Sequence, residues 1–409
     1  MRLALNFQRV DPTRGGAETY VVDLCQHLIR LGHEVDLYAE SWRDGALPPE
    51  VRCIPVAVQG KTRTARIRSF AQNSETALEN ASYDCTVGLI NTWHHDVIIP
   101  QGGVHRGSLE ANSKRFPAGV RRTLYRLGKM ANPKFWTYRA IEQKQYAPER
   151  PVRVIAVSNM VKGHLQQYHQ VPRARIHVIP NAIDAGRLQV DQPQAIRCAF
   201  RNKVGLEPND LVALFVGHNF ALKGLEPLLR ALAERKRLDP TGRPVHLLVC
   251  GGGKVPAYRR LANSLGLSRT VHWMGYTPDI RPCFWASDFF VLPSFYDPCS
   301  LVVFEALACG LPVITTACNG AGEVITEGRE GYVLTAPDAQ GEMIAALDQM
   351  TDDPTRRRMS ALAQQLGLEQ SFDNHVARLV RVFEDVAASR GGKTPHTLRP
   401  TSQPQKAQR

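Results

Sequence analysis

Short apolar strands alternate with amphipathic helices along this chain, and the alternation limits the folds open to it. A predicted strand over residues 3–7 leads through a Gly-Gly turn into a helix that ends at Gly32, and a second strand follows over residues 34–39. A strand, a helix and a strand in this order predict a parallel sheet. A second set begins near Asp210. The other predicted strands are residues 85–90, 97–99, 152–157, 211–216, 246–250, 271–274, 289–292 and 312–315.

The length of 409 residues is too great for one ordinary core and indicates two domains. We predict an α/β protein with two Rossmann-like, doubly wound parallel-sheet domains that face each other across a cleft. Ligands of such sheets bind beyond the carboxyl ends of the strands. The predicted parts are a first domain over residues 1–180, a second domain over 181–371, a helix over 372–388 and a disordered basic tail over 389–409.

The net charge of +13 indicates either an anionic partner or a basic face that is simply solvated. Basic residues with interleaved aromatic residues crowd the segment 106–150, which suits an anionic membrane surface or an anionic lipid-linked acceptor. No nucleic-acid-binding motif is present, so we expect no nucleic acid partner. The sequence shows neither a signal peptide nor an apolar run of about 18 residues, and its nine cysteines are scattered singly, so a cytoplasmic protein with reduced thiols is predicted.

The segment 294–314 carries the strongest chemical signal. Asp297 lies in a loop after an apolar strand, and Glu305 follows eight positions later in a predicted helix. A loop of small residues that enters a helix presents unpaired N–H groups, which suit a phosphate. This pattern resembles the C-terminal signature of the retaining family 4 glycosyltransferases of the GT-B fold, although that family usually has Glu at both acidic positions.

The resemblance implies a donor site in the second domain. Glu305 would accept hydrogen bonds from ribose hydroxyls, and the N–H groups of Leu301 and Val302 would bind phosphate oxygens. Asp297 would bind hydroxyls of the sugar, and Ser300 stands where the family usually has Gly.

Two further loops match the family. Gly15 and Gly16 follow the first strand and open a helix, as in the family's Gly-Gly-x-Glu loop near the donor phosphate. A purely structural turn remains an alternative there. Lys223 would neutralise the diphosphate leaving group, and His218 occupies a position where the family commonly has Arg.

Three other positions complete the implied site. Gly275 and Tyr276 match a turn whose backbone contacts the nucleotide base, and His105 matches the histidine that binds the 6-hydroxyl of the donor sugar. Asp96 is a second catalytic candidate that could orient or deprotonate the acceptor hydroxyl. The neighbouring residues His94 and His95 are expected to be structural. The sequence lacks the Asp-x-Asp motif of metal-dependent transferases, so we expect neither a metal nor a cofactor.

The resemblance extends from residue 1 to about residue 388, where the GT-B fold implies that the last helix crosses back onto the first domain. Among its members, the bacterial lipopolysaccharide core glucosyltransferases match best. We therefore expect transfer of a hexose, with UDP-glucose as the first choice of donor, to a lipid-linked acceptor with retention of configuration, by an enzyme peripheral to the inner face of the cytoplasmic membrane. A catalytically weak nucleotide-sugar-binding subunit and a UDP-sugar epimerase are the alternatives.

Overall fold

The computed structural model describes residues 1–93, 95–149 and 151–391, and these residues form two large parallel sheets flanked by helices, together with a small sheet of two short strands. The predicted fold class is therefore confirmed. The strands are β1 (Arg2–Phe7), β2 (Arg9–Val10), β3 (Glu34–Ala39), β4 (Ser41–Trp42), β5 (Arg52–Pro55), β6 (Cys85–Ile90), β7 (Val97–Ile98), β8 (Arg153–Ala156), β9 (Ile176–Val178), β10 (Leu211–Val216), β11 (Val245–Cys250), β12 (Val271–Gly275), β13 (Phe289–Leu292), β14 (Val313–Thr316) and β15 (Gly331–Leu334).

Helices connect most of these strands, as parallel pairing requires. They are α1 (Gly16–Arg30), α2 (Arg63–Glu79), α3 (His105–Ser113), α4 (Val120–Met130), α5 (Pro133–Gln145), α6 (Asn159–His169), α7 (Pro193–Val204), α8 (Leu225–Leu238), α9 (Val255–Ser264), α10 (Arg281–Ala286), α11 (Leu301–Ala308), α12 (Gln340–Gln349), α13 (Asp353–Glu369) and α14 (Phe372–Gly391).

The strand order of each sheet fixes where a ligand can bind. The first sheet runs β5-β3-β1-β6-β7-β8-β9 and the second β12-β11-β10-β13-β14-β15, with parallel pairing throughout. The connection direction reverses between β1 and β6 in the first sheet and between β10 and β13 in the second. A loop beyond the carboxyl end of a strand at such a point lies beside a natural crevice. The loops that carry Gly15, Lys223 and Asp297 follow β1, β10 and β13.

The last helix crosses from the second domain to the first. Its His375 is buried, with Nε2 2.8 Å from the Tyr20 hydroxyl of α1 and Nδ1 2.8 Å from the Pro180 carbonyl. Because a carbonyl can only accept, Nδ1 carries the proton and Nε2 accepts from Tyr20. At the far end of the helix, Arg390 pairs with Asp96 and donates to the Tyr83 carbonyl. The crossing that the fold class implies is thereby observed.

The predicted tail begins three residues too early. Residues 389–391 belong to α14, because the two contacts of Arg390 hold the last turn of the helix on the first domain. The rest of the predicted tail, residues 392–409, lies outside the described residues. All nine cysteines are free. Within the described part of the chain, no helix is both long and apolar enough to cross a membrane.

The buried His375 predicts a loss of stability in acid. Burial lowers the pKa of His375 to about 3, well below its usual 6.5. Between these two values the unfolded chain binds a proton that the folded chain does not, so the free energy of unfolding falls as pH drops below 6.5. From pH 7 to pH 5 this one group contributes a loss of about 2 kcal/mol.

Urea unfolding of the wild type and of His375→Gln at several pH values measures this contribution. The substitution should flatten the acid slope, whereas His218→Gln, at an exposed histidine, should leave the slope unchanged. An identical acid slope in the His375 variant would contradict the assignment.

Candidate active site

Three glycines at the carboxyl ends of β10, β11 and β12, namely Gly217, Gly251 and Gly275, form a backbone surface in the second domain. The Gly251 N–H donates to the Gly275 carbonyl at 2.7 Å. A Cβ on Gly251 would lie 2.0 Å from the Gly217 carbonyl oxygen, and the φ of Gly251 is +127°. Only glycine therefore fits at residue 251, where the backbones of the two loops pack closely together.

The predicted residues His218 and Tyr276 flank this surface. Their rings stack with centroids 6.3 Å apart and an interplanar angle of 28°. Tyr276 is 54% exposed, and its hydroxyl donates to the Thr13 carbonyl of the first domain at 3.4 Å. The exposed ring faces of this pair make it a suitable neighbour for a nucleotide base.

Lys223 and Asp297 meet as an ion pair between the loops that follow β10 and β13. The loop of Lys223 is held by the Phe295 N–H, which donates to the Leu222 carbonyl at 2.8 Å. The loop of Asp297 is held by its own N–H, which donates to the Cys318 carbonyl at 3.0 Å. The backbone therefore fixes both charges at one point of the cleft, although the two residues are far apart in sequence.

The first turn of α11 faces the Gly-rich loop of the first domain. The N–H groups of Leu301 and Val302 have no acceptor within the helix, because they belong to its first turn. Ser300 precedes the helix without a side-chain cap, and its own N–H donates to Asn319 Oδ1 at 3.3 Å. A Cβ on Gly16 would lie only 3.1 Å from Leu301 Cδ1, so the two domains approach closely here. This arrangement offers N–H groups to an anion in the cleft.

Glu305 lies one turn further along α11. Burial raises the pKa of its carboxyl to about 7, and the positive charge of Arg187 lowers it by a smaller amount. Arg187 itself is paired with Asp23 of α1. Glu305 is therefore an acid that can change its protonation state near neutral pH.

His105 begins α3 in the first domain, at the carboxyl side of β7. Its backbone N–H donates to Glu142 Oε1 at 2.7 Å. Its ring packs against Phe135 and Tyr138, with centroids 5.4 and 5.0 Å away. Burial lowers the pKa of the imidazole, so the neutral form that can donate one hydrogen bond is favoured.

A contact between the domains brings His105 towards Asp297. The Val104 N–H donates to the Tyr296 hydroxyl at 3.1 Å. Because Val104 precedes His105 and Tyr296 precedes Asp297, this bond fixes the two predicted site residues on opposite walls of the same part of the cleft. Gly103 allows the approach, since a Cβ there would lie 2.2 Å from the Tyr296 hydroxyl.

A cavity of about 740 Å³ opens beside His105 in the first domain. Sequence reasoning did not predict its basic residues as part of a site, because no motif marks Arg14, Arg63 or Arg66. Lys134 also lines the cavity, although it belongs to the basic segment 106–150 that we assigned to a membrane surface. Only the fold reveals that these side chains meet.

The prediction for Asp96 is wrong. Asp96 precedes β7 and therefore lies at the amino end of the strand, on the side of the sheet away from the cleft. Its carboxylate accepts hydrogen bonds from the backbone N–H and the hydroxyl of Thr86, both at 2.8 Å, and it pairs with Arg390. Asp96 thus anchors α14 and cannot reach an acceptor hydroxyl.

Of the two neighbouring histidines that we expected to be structural, the structure describes His95. His95 is buried, with Nε2 3.1 Å from Asn6 Nδ2, as expected for a structural residue. His94 lies outside the described residues. No group of three or more His, Cys, Asp or Glu side chains within residues 1–93, 95–149 and 151–391 has the arrangement of a metal site.

Two family models match consecutive parts of the chain. The model for Glycosyltransferase Family 4 matches residues 14–187, and the model for Glycosyl transferases group 1 matches residues 197–366. The first match covers the Gly-rich loop and His105, and the second covers Lys223, Asp297 and Glu305.

Curated relatives span most of the chain. The lipopolysaccharide glucosyltransferase WaaG of Escherichia coli K12 is 25% identical over 343 residues, which cover 84% of this chain and 88% of the relative. A D-inositol 3-phosphate glycosyltransferase 2 of Catenulispora acidiphila is 26% identical over 364 residues, which cover 84% of this chain and 83% of the relative.

Solved structures agree in fold. The crystal structure of WaaG superimposes with a TM-score of 0.76 at 23% identity and covers 93% of this chain and 99% of that one. The structure of HepE from Anabaena in complex with UDP-glucose superimposes with a TM-score of 0.65 at 19% identity and covers 95% of this chain and 100% of that one. Both share the architecture of two facing domains.

Glu305 predicts a pH dependence of donor binding. If its carboxylate accepts hydrogen bonds from ribose, affinity for UDP-glucose should rise as pH increases through 7, because the ionised form is the better acceptor. We expect the dissociation constant to fall by about threefold or more between pH 6 and pH 8.

Titration calorimetry with UDP-glucose at these two pH values tests the role of Glu305. Glu305→Gln should bind more weakly and lose the pH dependence, whereas Glu50→Gln, at an exposed glutamate, should behave as the wild type. A pH dependence that survives in Glu305→Gln would show that another group causes it.

Proposed function

We propose that this GT-B glycosyltransferase, which carries a family 4 domain followed by a group 1 domain, transfers a hexose from a UDP-sugar to a hydroxyl of a lipid-linked acceptor with retention of configuration. One observation carries the proposal: the first turn of α11, which begins shortly after Asp297 of the Lys223–Asp297 pair, faces Gly16 of the first domain across the cleft. That arrangement is suited to a diphosphate with a sugar attached.

The second domain would bind the donor. The base would lie over the glycines at the ends of β10 to β12, beside Tyr276, and Glu305 would accept hydrogen bonds from the ribose. The N–H groups of Leu301 and Val302 and the ammonium group of Lys223 would bind the diphosphate. Lys223 would leave its pairing with Asp297 for the phosphate, which frees the carboxylate to bind hydroxyls of the sugar.

The reaction breaks the bond between the sugar and the diphosphate while the acceptor hydroxyl attacks from the same face. A departing phosphate oxygen takes up the proton of the acceptor. Negative charge grows on the diphosphate as it leaves, and Lys223 and the α11 N–H groups stabilise it in a site from which water is largely excluded. Neutral His105, on the opposite wall, would donate a hydrogen bond that orients the sugar.

These residues would neutralise the leaving group without a metal ion or another cofactor. Lys223 supplies one full positive charge, and the amino end of α11 supplies a partial one. Activity that persists in EDTA is therefore part of the proposal.

Glucose is the first choice for the transferred sugar because one similar protein is named for it and another was solved with UDP-glucose bound. WaaG is described as a lipopolysaccharide glucosyltransferase, and HepE was solved in complex with UDP-glucose. Other relatives are described as D-inositol 3-phosphate glycosyltransferases. We favour a lipid-linked acceptor, as in lipopolysaccharide core synthesis, because the first domain carries a surface suited to lipid.

That surface is the exposed face of α4. Val120, Leu124 and Leu127 recur at helical spacing and are 75%, 62% and 56% exposed, and the neighbouring Trp136 is 50% exposed. Arg121, Arg122, Arg126 and Lys129 lie on the same helix. An apolar stripe flanked by cations is typical of helices that lie in the interface of an anionic membrane. We propose peripheral binding to the inner face of the cytoplasmic membrane through this helix.

Removal of the Lys223 charge should slow the chemistry. We expect Lys223→Gln to lower kcat by about 100-fold to 1000-fold, the effect of losing one strong group that stabilises a leaving charge. Incorporation of radiolabelled hexose from UDP-glucose into a bacterial membrane extract, in EDTA, measures the rate.

Lys236→Gln provides the matched control, since Lys236 lies on the surface of α8 and contacts only the Gly266 carbonyl among the described residues. Unchanged kcat in Lys223→Gln would contradict the assigned role. An absence of transfer and of slow UDP release in the wild type would favour the alternative of a pure binding subunit.

Membrane binding should depend on the apolar face of α4. The double variant Leu124→Glu, Leu127→Glu should lose most binding to vesicles that contain phosphatidylglycerol, because two charges would have to enter the lipid interface. Leu238→Glu, at a 59% exposed leucine of α8, should bind as the wild type does. Vesicle flotation measures the bound fraction, and equal binding of all three proteins would refute the docking face.

A further inference from the structure

The cavity beside His105 is lined by more positive than negative charge. Its walls come from α2, α3 and α5 and from the loop that precedes α1. His105 itself favours its neutral form because burial lowers its pKa. The basic side chains of the lining are Arg9, Arg14, Arg63, Arg66 and Lys134, and the acidic ones are Glu18 and Glu142.

Part of this charge is neutralised within the protein. Arg9 and Arg66 both pair with Glu40, which lies behind the cavity wall and is almost fully buried. Glu142 accepts a hydrogen bond from the His105 N–H and lies 3.2 Å from His169 Nε2. The charges of Arg9, Arg66 and Glu142 therefore take part in contacts within the protein.

Three cations of the lining remain. Arg14, Arg63 and Lys134 form no ion pair within the part of the chain that the structure describes. Burial raises the pKa of Glu18, the second acid of the lining, and the nearby charge of Arg14 lowers it by a smaller amount. Lys134 lies close to other positive charges. Burial lowers the pKa of Lys134, and the charges of Arg63 and Lys129 lower it further. Arg14 and Arg63 are exposed and Lys134 is half-buried, so an anion that enters the cavity can reach three cations that have no ion pair.

Two of these cations also lie at the amino ends of helices. Arg63 begins α2 and Lys134 lies in the first turn of α5, and neither first turn contains an acid. The amino end of a helix carries a partial positive charge, so a basic side chain in the first turn is disfavoured. Stability of the free protein therefore does not explain why these residues are basic.

The rest of the cavity suits a sugar. Tyr138 and Tyr146 line it together with Phe7 and supply the apolar surface that the carbon face of a pyranose requires. The volume of about 740 Å³ is sufficient for a sugar that carries a substituent. His105 and Gly103 lie at the end that meets the second domain, where the donor sugar would be.

We infer that the cavity binds an anionic sugar, and that Arg14, Arg63 and Lys134 recognise its phosphate or carboxylate group. In terms of the proposed function, on which this identification rests, the anionic sugar is the part of the acceptor that receives the hexose. The anionic group lies against the three cations and the hydroxyl that reacts lies near His105. This site is separate from that of the donor diphosphate, which belongs to the second domain.

The test compares three soluble probes at saturating UDP, so that the donor site is occupied. Titration calorimetry with the full chain should show glucose 6-phosphate binding about tenfold or more tightly than glucose, with glucuronate between them, because each charge-assisted contact adds about one such factor. The advantage of the phosphate should shrink as salt is raised.

The double variant Arg63→Gln, Lys134→Gln should abolish the difference between the probes. A control pair, Arg68→Gln and Arg173→Gln, removes the same charge at two exposed positions outside the cavity and should retain the difference. Unchanged UDP affinity shows that both double variants are folded.

Equal affinity of the wild type for the three probes, including no detectable binding of any, would overturn the inference. So would a phosphate preference that survives in Arg63→Gln, Lys134→Gln. Slow UDP release from UDP-glucose without an acceptor reports on the proposed function alone. Normal UDP release together with equal binding of charged and uncharged probes would therefore support the proposed function and refute the anionic acceptor site.

Discussion

The strand direction of two parallel sheets is the constraint on which this structure depends. Every strand of a parallel sheet ends at the same edge, and the carboxyl edges of both sheets face each other here. The loops that follow β1, β7, β10 and β13 therefore meet without any local signal between them. Contacts such as Val104 with Tyr296 and Gly16 with Leu301 set the width of the cleft. The long crossing of α14 holds the outer ends of the two domains together.

The two walls of the cleft carry different kinds of positive charge. In the second domain Lys223 is paired with Asp297, so its charge has a partner when no diphosphate is bound. The first turn of α11 adds N–H groups to the same wall. In the first domain Arg63 and Lys134 have no such partner among the described residues. In the function that we propose, the charges of the donor site would be paired in the free protein, whereas the cations of the acceptor cavity would meet an anion only when the acceptor binds.

Sequence periodicity predicted the interior strands of each large sheet and missed three of their four edge strands. The observed bounds of β3, β6, β10 and β13 equal those predicted, because all but at most one residue of each strand is buried. Strands β5, β9 and β15 were missed, since each lies at an edge, has three or four residues and is half-exposed. Motifs found the donor loops, which are continuous in sequence. They could not find the cavity beside His105, whose cations come from distant parts of the chain. They also misplaced Asp96, which precedes a strand and therefore lies at the amino end of the strand, away from the cleft.

The central claim is that a diphosphate binds between the two domains, held by Lys223 and the first turn of α11. A crystal structure of the protein with UDP tests it most directly. We predict phosphate oxygens within hydrogen-bond distance of the Leu301 and Val302 N–H groups and of Lys223 Nζ, with the Lys223–Asp297 pair opened and the ribose hydroxyls at Glu305. UDP bound elsewhere, with its phosphates against Arg63 and Lys134 or with the Lys223–Asp297 pair intact, would contradict the account.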